Sequence, residues 1–535
     1  MQTTPQTIPA HLPRLAARYD LSSEDLGDLA ERCAARVQRL ADLWAHADTP
    51  PSQVMRTLRR TAKRHGIYMP HKEGAAECIN RMCDSAWWRR ALRKRFRAVE
   101  LHAIQTGAVH RRASPYVSAK ALRRHELNAS RLAAQMDGLE AINQTTGEAV
   151  PMTELIEASL ANPANRRAAL MARIKGIEAS ALAKGHVGLF LTITCPSRMH
   201  ARHAKSGAAN EAYDGTYPGK AHAYLGHVWG RATRRAAHLG LIGYGLRVVE
   251  PHHDACPHWH LLVFTPADQA DAYAANLRAY ALADSPDEAG AQERRFTVER
   301  IDPAKGSAVG YVAKYVSKSI DGEGVEGDTE SDSDGRSAAR RQVAWARTWG
   351  IRQFQFFGVP PITPTRELYR VSAKGLPGKA LPELHQACKA NDYAAWLAAV
   401  EAHGLRLGVD YTERDSTRYR GEVTKAISGL TVEGGDLAQP LSLTTRCDTW
   451  RIEPRSKVQP PPSEPAGAAG VFSPWTRFNN SAPIDAKGLF PRNARRAKSE
   501  EGEERNETAV RGSVLHRAPL PGAGRGDWES ARPAA

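Results

Sequence analysis

The chain has 535 residues, 42% hydrophobic, with a mean hydropathy of −0.49 and a formal net charge of +16. That length exceeds a single hydrophobic core and implies about two to four domains, and the basic balance points to a polyanionic partner, nucleic acid ahead of membrane. No run of about 18 apolar residues occurs and the N-terminus lacks a charged-then-apolar leader, so a membrane-spanning helix and a secretory signal are both excluded from the expectation.

Residues 1–19 are expected to be flexible. Ser22-Ser23-Glu24-Asp25 forms a capping-box pattern, and Leu26, Leu29, Cys33, Val37, Leu40 and Trp44 follow at helical spacing. Pro50-Pro51 ends that helix, and a second begins near Ser52. A third is predicted from Asn80 to about His102, with Trp88, Leu92, Phe96 and Val99 as its apolar stripe. Between Arg81 and Arg124 stand 12 Lys/Arg against Asp84 and Glu100. A basic helix is most often a solvated face, but beside Trp87 and Trp88 in a basic chain it is also a candidate contact for DNA phosphates. Cys78 and Cys83 are considered as zinc ligands, but no clear second pair stands at a suitable distance. The seven cysteines, odd in number and scattered, argue for a reducing compartment rather than a disulfide framework. Helical patterning continues to about Lys184, so residues 20–184 read as an all-helical, DNA-binding domain.

Composition then changes. Val187 to Thr194 reads as a strand, Leu189, Leu191 and Ile193 facing one way and Phe190, Thr192 and Thr194 the other. A helix from about Lys220 to His238 follows. Tyr244 to Phe264 reads as two strands joined by a loop from Pro251 to Pro257. Period-2 alternation puts His258 and His260 on one face and Trp259 on the other, and hairpin pairing sets Glu250 opposite His258. Two imidazoles and a carboxylate on one sheet face make a candidate divalent-metal site. His252 or His253, in the loop, could replace Glu250 as third ligand. A lone H-x-H is common without a metal; the carboxylate at the strand end is what strengthens the reading.

A strand over Arg295–Ile301 leads into a helix over Gly310–Ile320. Helical winding puts Tyr311, Lys314, Tyr315 and Lys318 on one face and Val312, Ala313, Val316 and Ile320 on the other. Asp321–Gly335 carries seven acidic residues, four glycines and no Lys or Arg, and is expected to be a mobile loop. A helix near Ala338–Trp349 and a strand Ile351–Phe357 follow. Residues 371–433 read as a small helical region and 434–535 as a mostly disordered tail.

FLTIT, then Glu250 with the His-Trp-His triplet, then Tyr-x-x-Lys-Tyr-x-x-Lys resemble, in that order, the rolling-circle replication initiators of the HUH endonuclease superfamily. More narrowly, VEPHHDACPHWHLLVF, GYVAKYVSK and WGIRQFQFFGVP resemble the phage replication gene A protein family. The likeness is strongest over residues 185–370, which the resemblance makes an HUH nicking endonuclease domain of α+β class, an antiparallel catalytic sheet flanked by helices. It implies a nick in one strand of a phage origin, a 5′-phosphotyrosine link and a free 3′-OH for host polymerase. A host helicase is expected, since no G-x-x-x-x-G-K-[ST] loop is present, and the resemblance implies a bacterial cytoplasmic setting.

The chemistry of these residues agrees with that implication. A phenol of pKa about 10 needs help to attack phosphorus at neutral pH. A cation held by His258, His260 and Glu250 would neutralise charge on the phosphate, and Lys314 or Lys318 could lower the phenol pKa or stabilise the transition state. Mixed imidazole and carboxylate ligation suits Mn²⁺ and tolerates Mg²⁺. Rival readings are a transposase or plasmid relaxase of the same superfamily and a non-catalytic DNA-binding replication factor. A histidine-triad nucleotide hydrolase is disfavoured by leucine at position 262.

Overall fold

The computed structural model describes residues 26–69, 74–304, 306–328, 331, 333–415 and 423–455. The N-terminal stretch 1–19 and residues 456–535 of the expected tail lie outside these. The strands, in chain order, are β1 (Leu139–Asn143), β2 (Ala149–Pro151), β3 (His186–Ile193), β4 (Tyr244–Pro251), β5 (Pro257–Pro266), β6 (Phe296–Arg300), β7 (Phe354–Phe357), β8 (Arg406–Asp415), β9 (Val423–Glu433), β10 (Leu441–Thr444) and β11 (Trp450–Pro454).

The central sheet has the order β6-β3-β5-β4-β7, and every pairing in it is antiparallel. Both of its faces are covered. Leu189, Leu191, Ile193, Trp259, Leu261 and Val263 pack into one core with helices Pro218–His238, Ala270–Ala281 and Gly335–Trp349. Phe190, Leu246, Val248, Leu262 and Phe264 pack into a second core with helices Pro163–Ala183 and Ala308–Lys318. This is why β5 is buried from Pro257 to Thr265 and carries apolar residues at adjacent positions, LLVF, rather than a strict alternation. The faces of β3 and β5 fall as the alternation predicts.

The basic N-terminal helices form a third core, with Trp88 fully buried and its Nε1 donating to the Met82 carbonyl at 2.7 Å. The predicted helix over Asn80–His102 is two helices, Ala75–Cys83 and Ser85–Gln105, split where the Asp84 side chain caps the second. Trp88 is therefore a core residue and offers no surface to DNA. Arg89 and Arg95 are buried too, so part of the basic run is consumed inside the fold.

Three further expectations are corrected. The stretch 20–184, read as all helical, contains β1 and β2, because β1 pairs with β11 from about 300 residues later in the chain. The region 371–433, read as helical, has helices Ala380–Lys389 and Tyr393–Ala402 but then the long antiparallel pair β8–β9, whose Val409, Ile427, Thr431 and Val432 are strand formers. Residues 434–455, assigned to the tail, supply β10 and β11 to two sheets.

Candidate functional site

β4 and β5 place the ligand candidates. Their register pairs Glu250 with His258 and Val248 with His260, so both imidazoles and the carboxylate share one face. All three residues are buried, Glu250 to 1% exposure. His258 Nε2 and His260 Nε2 face each other at 2.9 Å, and Glu250 Oε2 lies 3.9 Å from His260 Nε2. The potential ligand atoms lie within 4.8 Å of one another, the only such group of three or more His, Cys, Asp or Glu among the described residues.

Two imidazole nitrogens aimed at each other beside a buried carboxylate are poor partners for themselves, since only a shared proton or a cation satisfies their lone pairs. Bonds of about 2.1 Å to one ion put neighbouring ligand atoms about 3–4 Å apart, so the donor set fits a divalent cation. Burial, then His252, His260 and Lys318, pushes His258 well below the usual imidazole range, which keeps it in the neutral form a metal needs. His252 and His253 are not part of this group. His252 stacks on His258 with ring centroids 4.1 Å apart, and its neighbour His200 pairs with Asp254 at 3.2 Å. Burial alone would raise the Asp254 carboxyl, but His200, His253 and His252 hold it well below the carboxylate range.

Residues around the triad fix its rings. Thr192, the cross-strand neighbour of His260, places Oγ1 3.0 Å from His260 Nδ1. With Nε2 turned to the cluster, Nδ1 carries the proton and Thr192 accepts it. Phe190 stacks on the same ring at 5.5 Å. Ser319 Oγ lies 3.3 Å from Glu250 Oε1. Sequence reasoning put Thr192 and Phe190 on the correct face without assigning them a role, and it missed Ser319.

The helix Ala308–Lys318 lies over this face, its N-terminus capped by the Ser307 side chain. Val312 and Val316 are fully buried, while Tyr311 and Tyr315 are half-buried. The Tyr315 ring lies 4.1 Å from the His260 ring, centroid to centroid. Tyr311, one turn earlier, has its ring 6.5 Å from that of Phe190, centroid to centroid. Burial and Glu250 raise the Tyr315 phenol above its ordinary value, with Lys318 pulling the other way. Tyr311 is raised by partial burial and by Glu299. The two lysines, expected to share a role, divide. Lys314 is exposed and lines an open cleft against residues 324–328, Ser333 and Asp334. Lys318 is buried, with Nζ 2.8 Å from Asp328 Oδ1 and 3.6 Å from Glu250 Oε2. Asp328 belongs to the acidic stretch expected to be a mobile loop, yet it is 4% exposed and built into the site. Cys78 is buried and Cys83 half-buried, both as thiols, and neither joins a metal-ligating group among the described residues.

Among the described residues, no helix is long and apolar enough to cross a membrane. No solved structure matches the chain. The chain is 34% identical over 397 residues to the replication gene A protein of Escherichia phage 186, covering 72% of this chain and 57% of that protein. A probable replication protein of Pseudoalteromonas phage PM2 is 36% identical over 304 residues, or 56% of this chain and 47% of the relative. A probable replication endonuclease from a prophage-like region of Salmonella typhi is 36% identical over 492 residues, or 87% of this chain and 59% of the relative. The chain thus spans about half to three fifths of the length of these relatives. The family model described as bacteriophage replication gene A protein matches residues 14–323, more than half of the chain, and the chain belongs to that family.

Proposed function

We propose that this protein is a site- and strand-specific DNA endonuclease of the HUH type that nicks a phage replication origin to start rolling-circle replication. The observation that carries the reading is the convergence of His258, His260 and Glu250 on one sheet face, with the Tyr315 ring resting on His260. Origin DNA reaches this face as a single strand, and Lys314, exposed and lining the cleft, contacts its phosphates.

His258, His260 and Glu250 would hold Mn²⁺ or Mg²⁺. A cation held there would supply Lewis-acid charge for the scissile phosphate. The remaining work belongs to the chain. Tyr315 supplies the nucleophile: its phenolic oxygen bonds to phosphorus as the P–O3′ bond breaks, the phenol proton passes to water, and O3′ takes a proton from water to leave as a hydroxyl. The 5′ end stays on the tyrosine and the 3′-OH is left for host polymerase, with a host helicase opening the duplex in the bacterial cytoplasm. Lys318 places positive charge beside the developing phosphorane. One phosphodiester replaces another, so no nucleotide triphosphate is consumed, and the free 3′ end of the displaced strand can later attack the phosphotyrosine to rejoin it. Tyr311, one helical turn away, makes the second cut at the regenerated origin.

The test is a covalent-adduct assay on labelled origin oligonucleotides with Mn²⁺. Tyr315→Phe is expected to abolish most first-round adduct, Tyr311→Phe to spare it but block strand transfer, and the double variant to form none. An adduct from the double variant refutes the assignment of both tyrosines.

A further inference from the structure

Asp328 is an acidic residue drawn from a glycine-rich run into the interior. Its Oδ1 takes Lys318 Nζ at 2.8 Å, while Tyr116 and Ser331 donate to Oδ2 and its backbone N–H donates to the Ser333 carbonyl at 2.9 Å. Tyr116 is fully buried and comes from the turn between helices Ser85–Gln105 and Ala119–Asp137. The carboxylate is therefore anchored from outside the catalytic sheet. On its other side Lys318 Nζ stands 3.6 Å from Glu250 Oε2, too far for a good ion-pair hydrogen bond. That oxygen is the one facing His260.

An ammonium and a divalent cation cannot both occupy the inner side of one carboxylate oxygen. Lys318 is thus a built-in competitor for the ligand position of Glu250, and its buried charge must rest on whichever carboxylate is held closer. We propose that Asp328 is a positioning residue that draws Lys318 off Glu250 and so keeps Oε2 available as a ligand to the divalent cation. This rests on the reading of Glu250, His258 and His260 as the cation site. Lys318 remains close enough to face the phosphate, but it is prevented from closing on the carboxylate.

Mn²⁺ binding to the whole 535-residue chain without DNA, followed by the loss of the free-ion paramagnetic resonance signal, tests this apart from activity. Asp328→Asn is expected to weaken binding by roughly tenfold, an ordinary coupling between residues in contact. Lys318→Met alone is expected to bind as well as the unaltered protein or better. The double variant is expected to bind like Lys318→Met, which also shows that loss of Asp328 leaves the fold intact. If Asp328 acted only as a nearby negative charge, removing it would weaken binding equally with or without Lys318. Tyr116→Phe, which removes one anchor of the carboxylate, is expected to give a smaller loss. Unchanged binding by Asp328→Asn, or a double variant as weak as Asp328→Asn, overturns the proposal. If instead Glu250→Gln binds Mn²⁺ as tightly as the unaltered protein, the cation site itself is wrong, a different failure.

Discussion

Thr192→Val probes how the site is held rather than what it contains. Valine matches threonine in volume and favours a strand, so the backbone of β3 should not respond. What is lost is one acceptor, the hydroxyl 3.0 Å from His260 Nδ1. Removing a group that orients a ligating histidine typically weakens metal binding by about 10–100-fold. Here the ring also packs against Phe190 at 5.5 Å and Tyr315 at 4.1 Å, which limits its rotation. The loss should therefore fall near the low end, about tenfold in Mn²⁺ affinity. Global stability should drop by only about 1 kcal/mol, the net worth of one hydrogen bond. Equilibrium Mn²⁺ titration and urea denaturation on the same samples give both numbers. Unchanged Mn²⁺ affinity would refute the reasoning, because it would mean that the tautomer and orientation of His260 do not depend on the Thr192 hydroxyl. A large fall in stability would refute it differently, by showing that the hydroxyl serves the fold.

His222 accepts from Trp259 Nε1 at 3.2 Å, and burial lowers its pKa to about 3. Because the folded value lies below the ordinary 6.5, the unfolded chain takes up a proton first as pH falls, so stability is level above pH 6.5 and declines below it. His222 alone should contribute roughly 3 kcal/mol of that decline by pH 4, and His222→Gln, which keeps an acceptor and cannot titrate, should remove that share; a Tm series across pH 4–8 on both proteins checks this. Gly245→Ala should destabilise by about 3 kcal/mol or more in urea melts, since a Cβ there would sit 1.9 Å from the Leu262 carbonyl oxygen at a φ of +155°. A neutral result would mean that β4 can shift against β5, and with it the register that pairs Glu250 with His258.

Much of the site can be read from local periodicity. Alternation in β3 and β5 aligns Phe190, Thr192, His258 and His260, and helical winding separates Tyr311 and Tyr315 from Val312 and Val316. These inferences need only the backbone repeat. Asp328 was illegible because its composition, acidic and rich in glycine, signals exposure; its burial depends on Tyr116, 212 residues away. Trp88 misled in the opposite direction, since adjacent tryptophans in a basic helix look like a nucleic-acid platform until the helix Ala75–Cys83 is seen to cover one of them.

Which side chains share a face follows from local geometry alone, because strand and helix periods are properties of the chain itself. The hairpin is marked locally too, by the prolines at 251 and 257 and the polar residues between them. Only tertiary structure decided that the tyrosine helix covers the histidine face rather than the opposite one, that Lys314 reaches solvent while Lys318 is buried between two carboxylates, and that β1 waits for β11. Each of those outcomes depends on contacts between residues far apart in the chain, whose stability comes from burying surfaces jointly, and no local repeat records which surfaces meet.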